Sequence, residues 1–414
     1  MNRLLYLAPS FPPARFVACI RTWNTAKQLS RLGWKVTVVT PHPDLWRSVD
    51  PLDGLAQAVA DHGLDMMYTG YRWTWLNTGE LRVRHGRLAW VLGGPLRRLV
   101  RRLGFEGQVG WGPAIREACA AYQPGAFDAI LATGNPYVAF SLARELSERL
   151  RCPYALDYRD LWTSGNPHAA GRFPPWIRRI ERRALDGAAA VTVVCPAMGE
   201  ALVRAFDVQD RLHVIFNGYD AVELAAVKPH QFVEPAVVYA GIFYPPVGVP
   251  DPVLAALRPL HRPDLKWKFH YYGAAARLVA AAAERAGIAE RLVTHGQVQR
   301  AEALSAARGA HSAVVIASVM PTASLGDRMI VTGKIFELVG MGVPVLLVAP
   351  PGSDAELVIT GCGRRFAGDQ VADMTRYYSE LLAGPRQTYQ PPLAFEWSRL
   401  GMQLHQVLEA IIKR

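Results

Sequence analysis

The sequence has little with which to build a disulfide framework or a metal cage: five cysteines in 414 residues, at positions 19, 119, 152, 195 and 362. An odd number at such wide spacings fits neither, and reads as a chain kept in a reducing cytoplasm. No apolar run approaches the ~18 residues of a membrane span. The opening MNRLLYLAPSFPP is too short in its apolar part, and too soon broken by proline, for a signal peptide, so it reads as a first strand. No strand ends in Gly-x-Gly-x-x-Gly, which argues against a dinucleotide-dependent dehydrogenase, and no Asp-x-Asp occurs. Acid is the scarcer charge: 35 Asp and Glu against 46 Lys and Arg give a net charge of +11 and a pI near 9.6. Half the residues are hydrophobic and a fifth charged, which is globular composition.

A chain this long exceeds one core, and two domains of roughly 200 residues each are expected. Leu4–Ala8, a helix over Ile20–Leu32 and a strand at Lys35–Thr40 form a βαβ opening. Residues 42–112, rich in proline, tryptophan and glycine, break that rhythm and read as an insertion. Strands then recur at Phe127–Ala132, Tyr154–Asp157, Val191–Cys195 and His213–Phe216, with helices between. The alternation predicts a doubly wound parallel sheet over 1–220. A linker is expected at 221–235. Within a second α/β domain, 221–395, strands are expected at Val237–Ala240, Lys268–Tyr272, Leu292–His295, Ala313–Ala317 and Val343–Val348. Ser398–Ile412 reads as a final amphipathic helix. Sheets of this kind bind ligands outside the carboxyl ends of their strands, so both domains should face a cleft.

One stretch, residues 332–350, organises the rest. Thr332 is a candidate N-cap, Ile335, Leu338 and Val339 an apolar helix face, and Gly340 and Gly342 a stop. Val343–Val348 follows as a strand covered on both faces. Lys334 and Glu337, three apart, project from the same side of the first turn. A cation at a helix N-terminus opposes the dipole, so a bound anion explains it better than helix stability does. A carboxylate one turn on suits a pair of ribose hydroxyls. The alternative is a solvated Lys–Glu pair.

GKIFELVGMGVPVLL resembles the donor-site helix and following strand of family-4 glycosyltransferases, which have the GT-B fold of two Rossmann-like domains. The resemblance implies a nucleotide-sugar donor, with Glu337 on the ribose and Lys334 and Gly333 near the pyrophosphate. It also implies a last helix, 396–414, that completes the first domain. The family often carries two glutamates separated by seven residues, and the earlier position here is Met329. Asp157-Tyr-Arg-Asp-Leu-Trp162 resembles an element of the family's polysaccharide-pathway branch; better-known family members carry a histidine near the positions of Arg159 and Asp160. This motif has none. Arg159 and Asp160 are therefore the candidates for orienting the acceptor or the donor sugar, beside an ion-pair and capping alternative. Asn217-Gly-Tyr-Asp220 matches the family's hinge, although Asn-Gly alone makes a turn.

The loop after the first strand offers Arg15 and Arg21 to a phosphate, and the resemblance implies acceptor contact there, although this loop lacks the family's glycines; a proline-stiffened loop with surface arginines is the alternative. Asn135 and Asp157 complete the acceptor-side candidates, Asn135 doubling as an N-cap. Gly241 allows close backbone approach to a pyrophosphate. Gly273 and the His295-Gly-Gln-Val298 stretch resemble strand ends that flank the nucleobase. Ser324, Asp327 and Arg328 precede the donor helix and could reach the sugar or the diphosphate. Between residues 81 and 105 arginine occurs at 82, 84, 87, 97, 98, 101 and 102 with no acid, alternating with apolar residues at helical spacing. That suits an anionic membrane surface, or a half-buried helix with a solvated face; no nucleic-acid motif accompanies it.

The reading is a GT-B glycosyltransferase moving a sugar from a nucleoside-diphosphate sugar to a glycan, lipid-linked or small-molecule acceptor. It is expected to work in the cytoplasm, free or peripheral at the inner face of the cell membrane, in cell-surface or extracellular polysaccharide assembly. Lys334 and the helix N-terminus stabilise the departing diphosphate without a metal or cofactor. The resemblance implies retention of configuration. The rivals are a nucleotide-sugar epimerase on the same plan and a degenerate partner subunit.

Overall fold

Short aliphatic runs that cannot be solvated on either side form the middle of two parallel sheets. The structure, a computed structural model, describes residues 1–14, 17–46, 49, 54–73, 91, 93–103, 110–164 and 173–413. They divide into a unit of residues 1–216 with 397–414, and a unit of residues 217–396.

In the first unit β1 (Arg3–Leu7), β2 (Lys35–Pro41), β3 (Asp65–Thr69), β4 (Ala129–Gly134), β5 (Tyr154–Tyr158), β6 (Ala190–Val193) and β7 (Leu212–Val214) are all parallel. Their order is β3-β2-β1-β4-β5-β6-β7. Every residue of β4, β5 and β6 is buried, as a sheet covered on both faces requires. The final helix, Trp397–Ile412, packs on helix Val17–Arg31 of the same unit. Gly401 permits that approach, since a Cβ there would lie 2.4 Å from Cβ of Gln28. Trp34 Nε1 donates to His405 Nδ1 at 2.9 Å, fixing the same helix from the β2 side.

The second unit carries β8 (Ala236–Ala240), β9 (Lys268–Tyr272), β10 (Leu292–Gly296), β11 (Ser312–Ile316), β12 (Val345–Val348) and β13 (Gly363–Phe366), ordered β10-β9-β8-β11-β12-β13 and again all parallel. Its core gathers Tyr239, Trp267, Phe269, Tyr271, Val314, Leu346 and Tyr378.

Two stretches hold more regular structure than their sequence pattern suggests. Residues 42–112 are not wholly an insertion, because Asp65–Thr69 pairs with β2 as the edge strand of the first sheet. The stretch expected to be a linker holds a short helix, Ala221–Ala225, whose N-cap Asp220 accepts from the backbone N–H of Val222 and Glu223 at 3.0 and 3.2 Å. No helix among the described residues is long and apolar enough to cross a membrane.

Candidate functional site

In the second sheet the strand order reverses between β8 and β11, and a doubly wound sheet opens its ligand crevice at that reversal. The helix that points into it, Gly333–Gly340, begins without a side-chain cap: Thr332 occupies the N-cap position, and its buried hydroxyl has no partner among the described residues. Its first N–H groups are therefore available to an anion. Lys334 reaches from this first turn to the end of β8. Its Nζ donates to the Ala240 carbonyl at 3.2 Å and lies 3.9 Å from the Tyr239 ring centroid. Gly241 sits at φ +138°, a backbone conformation that calls for glycine, and a Cβ there would stand 3.1 Å from that Nζ. Burial pushes the Lys334 ammonium down to about 7, and no carboxylate among the described residues pairs with it.

Gly273 belongs to the same corner. A Cβ there would meet the Gly241 carbonyl oxygen at 2.4 Å and the Tyr271 hydroxyl at 2.3 Å. Tyr271 in turn donates to Gly241 O at 3.1 Å and accepts from Ala275 N at 3.0 Å, locking the turn after β9 against the turn after β8. At the carboxyl end of β10 the His295 ring lies flat on Tyr272, 4.0 Å between centroids and 2° between planes. Such a stacked pair is the kind of surface a planar base lies against.

Glu337 is held by a residue that sequence reasoning missed. Arg300, at the start of helix Arg300–Gly309, donates Nε and Nη2 to Glu337 Oε1 at 2.9 and 2.5 Å, and its Nη1 pairs with Glu223. Both bonds to Glu337 go to one oxygen, leaving Oε2 for other donors. Burial raises the carboxyl pKa of Glu337, and the Arg300 guanidinium opposes that rise. A signal existed. Arg300 is a cation at a helix N-terminus, the same dipole conflict that marked Lys334.

The loop ahead of helix Gly333–Gly340 is more self-contained. Ser324 and Asp327 cap the short helix Leu325–Arg328 reciprocally, Ser324 N to Asp327 Oδ2 and Asp327 N to Ser324 Oγ both at 3.1 Å. Ser318 Oγ also donates to Asp327 at 3.0 Å, and Arg328 Nε to the Gly352 carbonyl at 3.1 Å. Met329 is buried.

In the first unit the reversal falls between β1 and β4. Asp157, near the end of β5, is 4% exposed, and so is Arg21. Arg21 donates Nε and Nη2 to the two oxygens of Asp157 at 3.0 and 2.7 Å; Thr133 and Thr192 add hydroxyl bonds at 2.9 and 2.6 Å. Burial alone would raise the Asp157 carboxyl, but Arg21 and the two hydroxyls hold it below its usual value. Above this pair Arg159 donates to the carbonyls of Gly134 and Asn135 at 2.7 and 2.5 Å, tying the loop after β5 to the loop after β4. The side chains of Asn135 and Asp160 are exposed there. Trp162 stacks on Tyr137 at 4.9 Å, and the Tyr137 hydroxyl donates to the Asp160 carbonyl at 2.8 Å. Glu181, unremarked in the sequence, is fully buried beneath: it accepts from Thr163 N at 3.1 Å and Tyr158 OH at 3.0 Å, and burial lifts it to about 7. Arg15 lies outside the described residues.

The structure thus brings Lys334, Gly333, Gly241 and Gly273 together and sets Glu337 one turn along. Arg159, Asp160 and Asn135 form a second group, with Arg21 and Asp157 paired below them.

Residues 20–218 match a family model described as "Glycosyl transferase 4-like domain". No curated protein matches the sequence. Among solved structures, the chain is similar to a sucrose-phosphate synthase from Thermosynechococcus elongatus, at TM-score 0.60 and 16% identity over 100% of this chain and 95% of that one. It is similar to Anabaena Alr3699/HepE in complex with UDP, at TM-score 0.61 and 14% identity over 99% and 100%. A UDP-N-acetylglucosamine 2-epimerase shares the fold at TM-score 0.51 and 14% identity over 100% and 97%.

Proposed function

The chain is a nucleotide-sugar-dependent glycosyltransferase of the GT-B fold, residues 20–218 belonging to the glycosyl transferase 4-like domain family, and from that premise we propose how its second unit holds the donor. The carrying observation is Lys334: an ammonium wedged between the Tyr239 ring, the Ala240 carbonyl and the open N-terminus of its own helix, with no counter-charge among the described residues. A diphosphate supplies that charge. It sits against the bare backbone of Gly241 and the N–H groups at Gly333 and Lys334, and Glu337 Oε2 accepts from the ribose hydroxyls. The strand ends at Tyr272-Gly273 and at His295-Gly-Gln-Val298 flank the base, with the stacked Tyr272–His295 pair on one side of it. Arg328, Ser324 and Asp327 shape the sugar's side of the pocket.

As the sugar leaves, charge grows on the diphosphate, and Lys334 with the helix dipole stabilises it at that point. Arg159 and Asp160 orient the acceptor or the donor sugar, Asn135 adds a polar contact, and Arg21 with Asp157 holds the floor on which they stand. The acceptor is a glycan or lipid-linked sugar of a cell-surface polysaccharide, met on the cytoplasmic side with retention of configuration; the Asp157–Trp162 motif supports that branch of the family.

Uridine is the first base to test, because Anabaena Alr3699/HepE was solved with UDP and with UDP-glucose. A thermal-shift screen against uridine, guanosine and thymidine diphosphates should raise the unfolding temperature with one of them, and Glu337→Ala should abolish that rise. Unchanged affinity in Glu337→Ala defeats the reading. Isomerised donor with no acceptor present would make the protein an epimerase instead.

A further inference from the structure

Helix Gly94–Arg102 is seated with the wrong face outward for a soluble surface. Arg97 is turned inward and only 8% exposed, whereas Leu96 and Leu99 are 42% and 49% exposed, with Arg98 and Arg102 beside them. An apolar stripe at i and i+3 ordinarily seeks the core, and a guanidinium ordinarily seeks water. The stripe does not end with the helix. Trp176, 42% exposed at the start of helix Pro175–Asp186, donates its indole N–H to the Leu103 carbonyl at 3.0 Å, so a large aromatic adjoins the leucines. Arg179, one turn on, is exposed too. Acid is scarce among the described residues of these two segments: residues 91–103 contain none, and in Pro175–Asp186 the acids are the buried Glu181 and Asp186 at the far end.

We propose that Leu96, Leu99 and Trp176, ringed by Arg98, Arg102 and Arg179, form a docking surface for an anionic lipid bilayer. The apolar side chains enter the headgroup boundary and the guanidinium groups meet lipid phosphates, the arrangement that holds an amphipathic helix in the plane of an interface. An indole with its N–H satisfied by the protein suits that depth. An acidic protein or a nucleic acid would answer the arginines but not the outward leucines. This surface stands independently of the donor site, and it extends the basic stretch noted in the sequence to a second helix; of that stretch, residues 81–90, 92, 104 and 105 lie outside the described residues.

Sedimentation of the full chain with vesicles tests it. The protein is expected to co-sediment with phosphatidylcholine–phosphatidylglycerol vesicles at low salt, to be released at high salt, and to ignore vesicles of phosphatidylcholine alone. Arg98→Ala with Arg102→Ala should weaken binding about thirtyfold, at roughly fivefold for each arginine lost near the surface. Leu96→Gln with Leu99→Gln should weaken it by about tenfold or more, and Trp176→Phe should weaken it less. Each variant's unfolding temperature is measured alongside, since all the side chains changed are exposed and should leave it unmoved. Equal sedimentation of the leucine variant and the parent overturns the proposal, because charge alone would then be responsible. So does absence of binding to anionic vesicles, or a preference for duplex DNA that survives the leucine change.

Discussion

Each unit withdraws a cation from water near the carboxyl ends of its sheet, Arg21 fully and Lys334 in part, and the two are satisfied in opposite ways. Arg21 is closed: Asp157 takes two of its N–H groups, Phe216 O a third at 2.9 Å, and the carboxylate is completed by two threonines. Lys334 is open: a carbonyl and an aromatic face are its partners, and its pKa has fallen to about 7. A buried ion pair with every hydrogen bond made serves the fold, and breaking one side of it costs stability. A buried cation without an anion costs stability as it stands, and is kept where a ligand supplies the charge. The comparison separates scaffold from site more cleanly than burial does, because both side chains are largely hidden.

The largest effect should come from breaking the closed pair. Asp157→Ala leaves Arg21 buried beside an empty position and should destabilise the protein by about 3–5 kcal/mol, read as a lower midpoint in urea. Arg21→Met with Asp157→Leu should recover much of that loss. Nucleotide affinity of the folded fraction should not change. If Asp157→Ala unfolded normally but lost transfer activity, the pair would belong to the chemistry and the contrast would fail.

The open cation should behave the other way. Lys334→Met is expected to lower kcat/KM by about 10²–10³, the scale of losing one charge-stabilising donor in a transition state. The ligand-free protein should be no less stable than the parent, since the change removes a desolvated amine. A large stability loss with intact turnover would show that Lys334 serves the fold.

How far the sequence revealed this contrast depends on range. Strands read well where both faces are covered, as in AILATG of β4 or VLLV of β12. Two of the four edge strands escaped: DMMYT of β3 has one buried residue, and GRRF of β13 carries two arginines, so neither presents an apolar run. Lys334 was legible because its conflict with the helix dipole is local. The Arg21–Asp157 pair was not, because it joins residues 136 apart and nothing local says that a charged side chain in a helix will find a strand end across the sheet. Glu181 was hidden for the same reason, its partners Tyr158 and Thr163 lying on another element.

Arg300 sharpens the comparison, since it joins a closed pair to the open site. Arg300→Met removes both bonds to Glu337 Oε1 and the counter-charge that opposes the effect of burial. Nucleotide affinity should fall about tenfold, within the range for one charge-assisted hydrogen bond, and Arg300→Lys should recover part of it. The Glu337 carboxyl should protonate at higher pH in the methionine variant, so its loss of affinity should be larger below neutrality. A uniform loss across pH would mean that Arg300 contacts the nucleotide directly.

The smallest effect is also the most diagnostic, because one side chain should drive two slopes of opposite sign. Burial sets the Lys334 pKa near 7 in the ligand-free protein, against about 10.4 in an unfolded chain. Between those values the unfolded chain holds a proton that the native protein has released. Stability therefore rises with pH through that window and loses this contribution as pH falls back through 7. Donor binding runs the other way, since an anion needs the ammonium and must take up a proton once the amine is neutral. Affinity for an intact nucleotide sugar, whose phosphates do not titrate there, should fall about fivefold between pH 7 and pH 8 and approach tenfold per unit above that. Isothermal titration in two buffers of different ionisation heat should register the proton uptake. In Lys334→Met both slopes and the uptake should vanish together. Were the stability slope to disappear while the affinity slope stayed, the amine would titrate away from the diphosphate, and the open cation would have no claim on the donor.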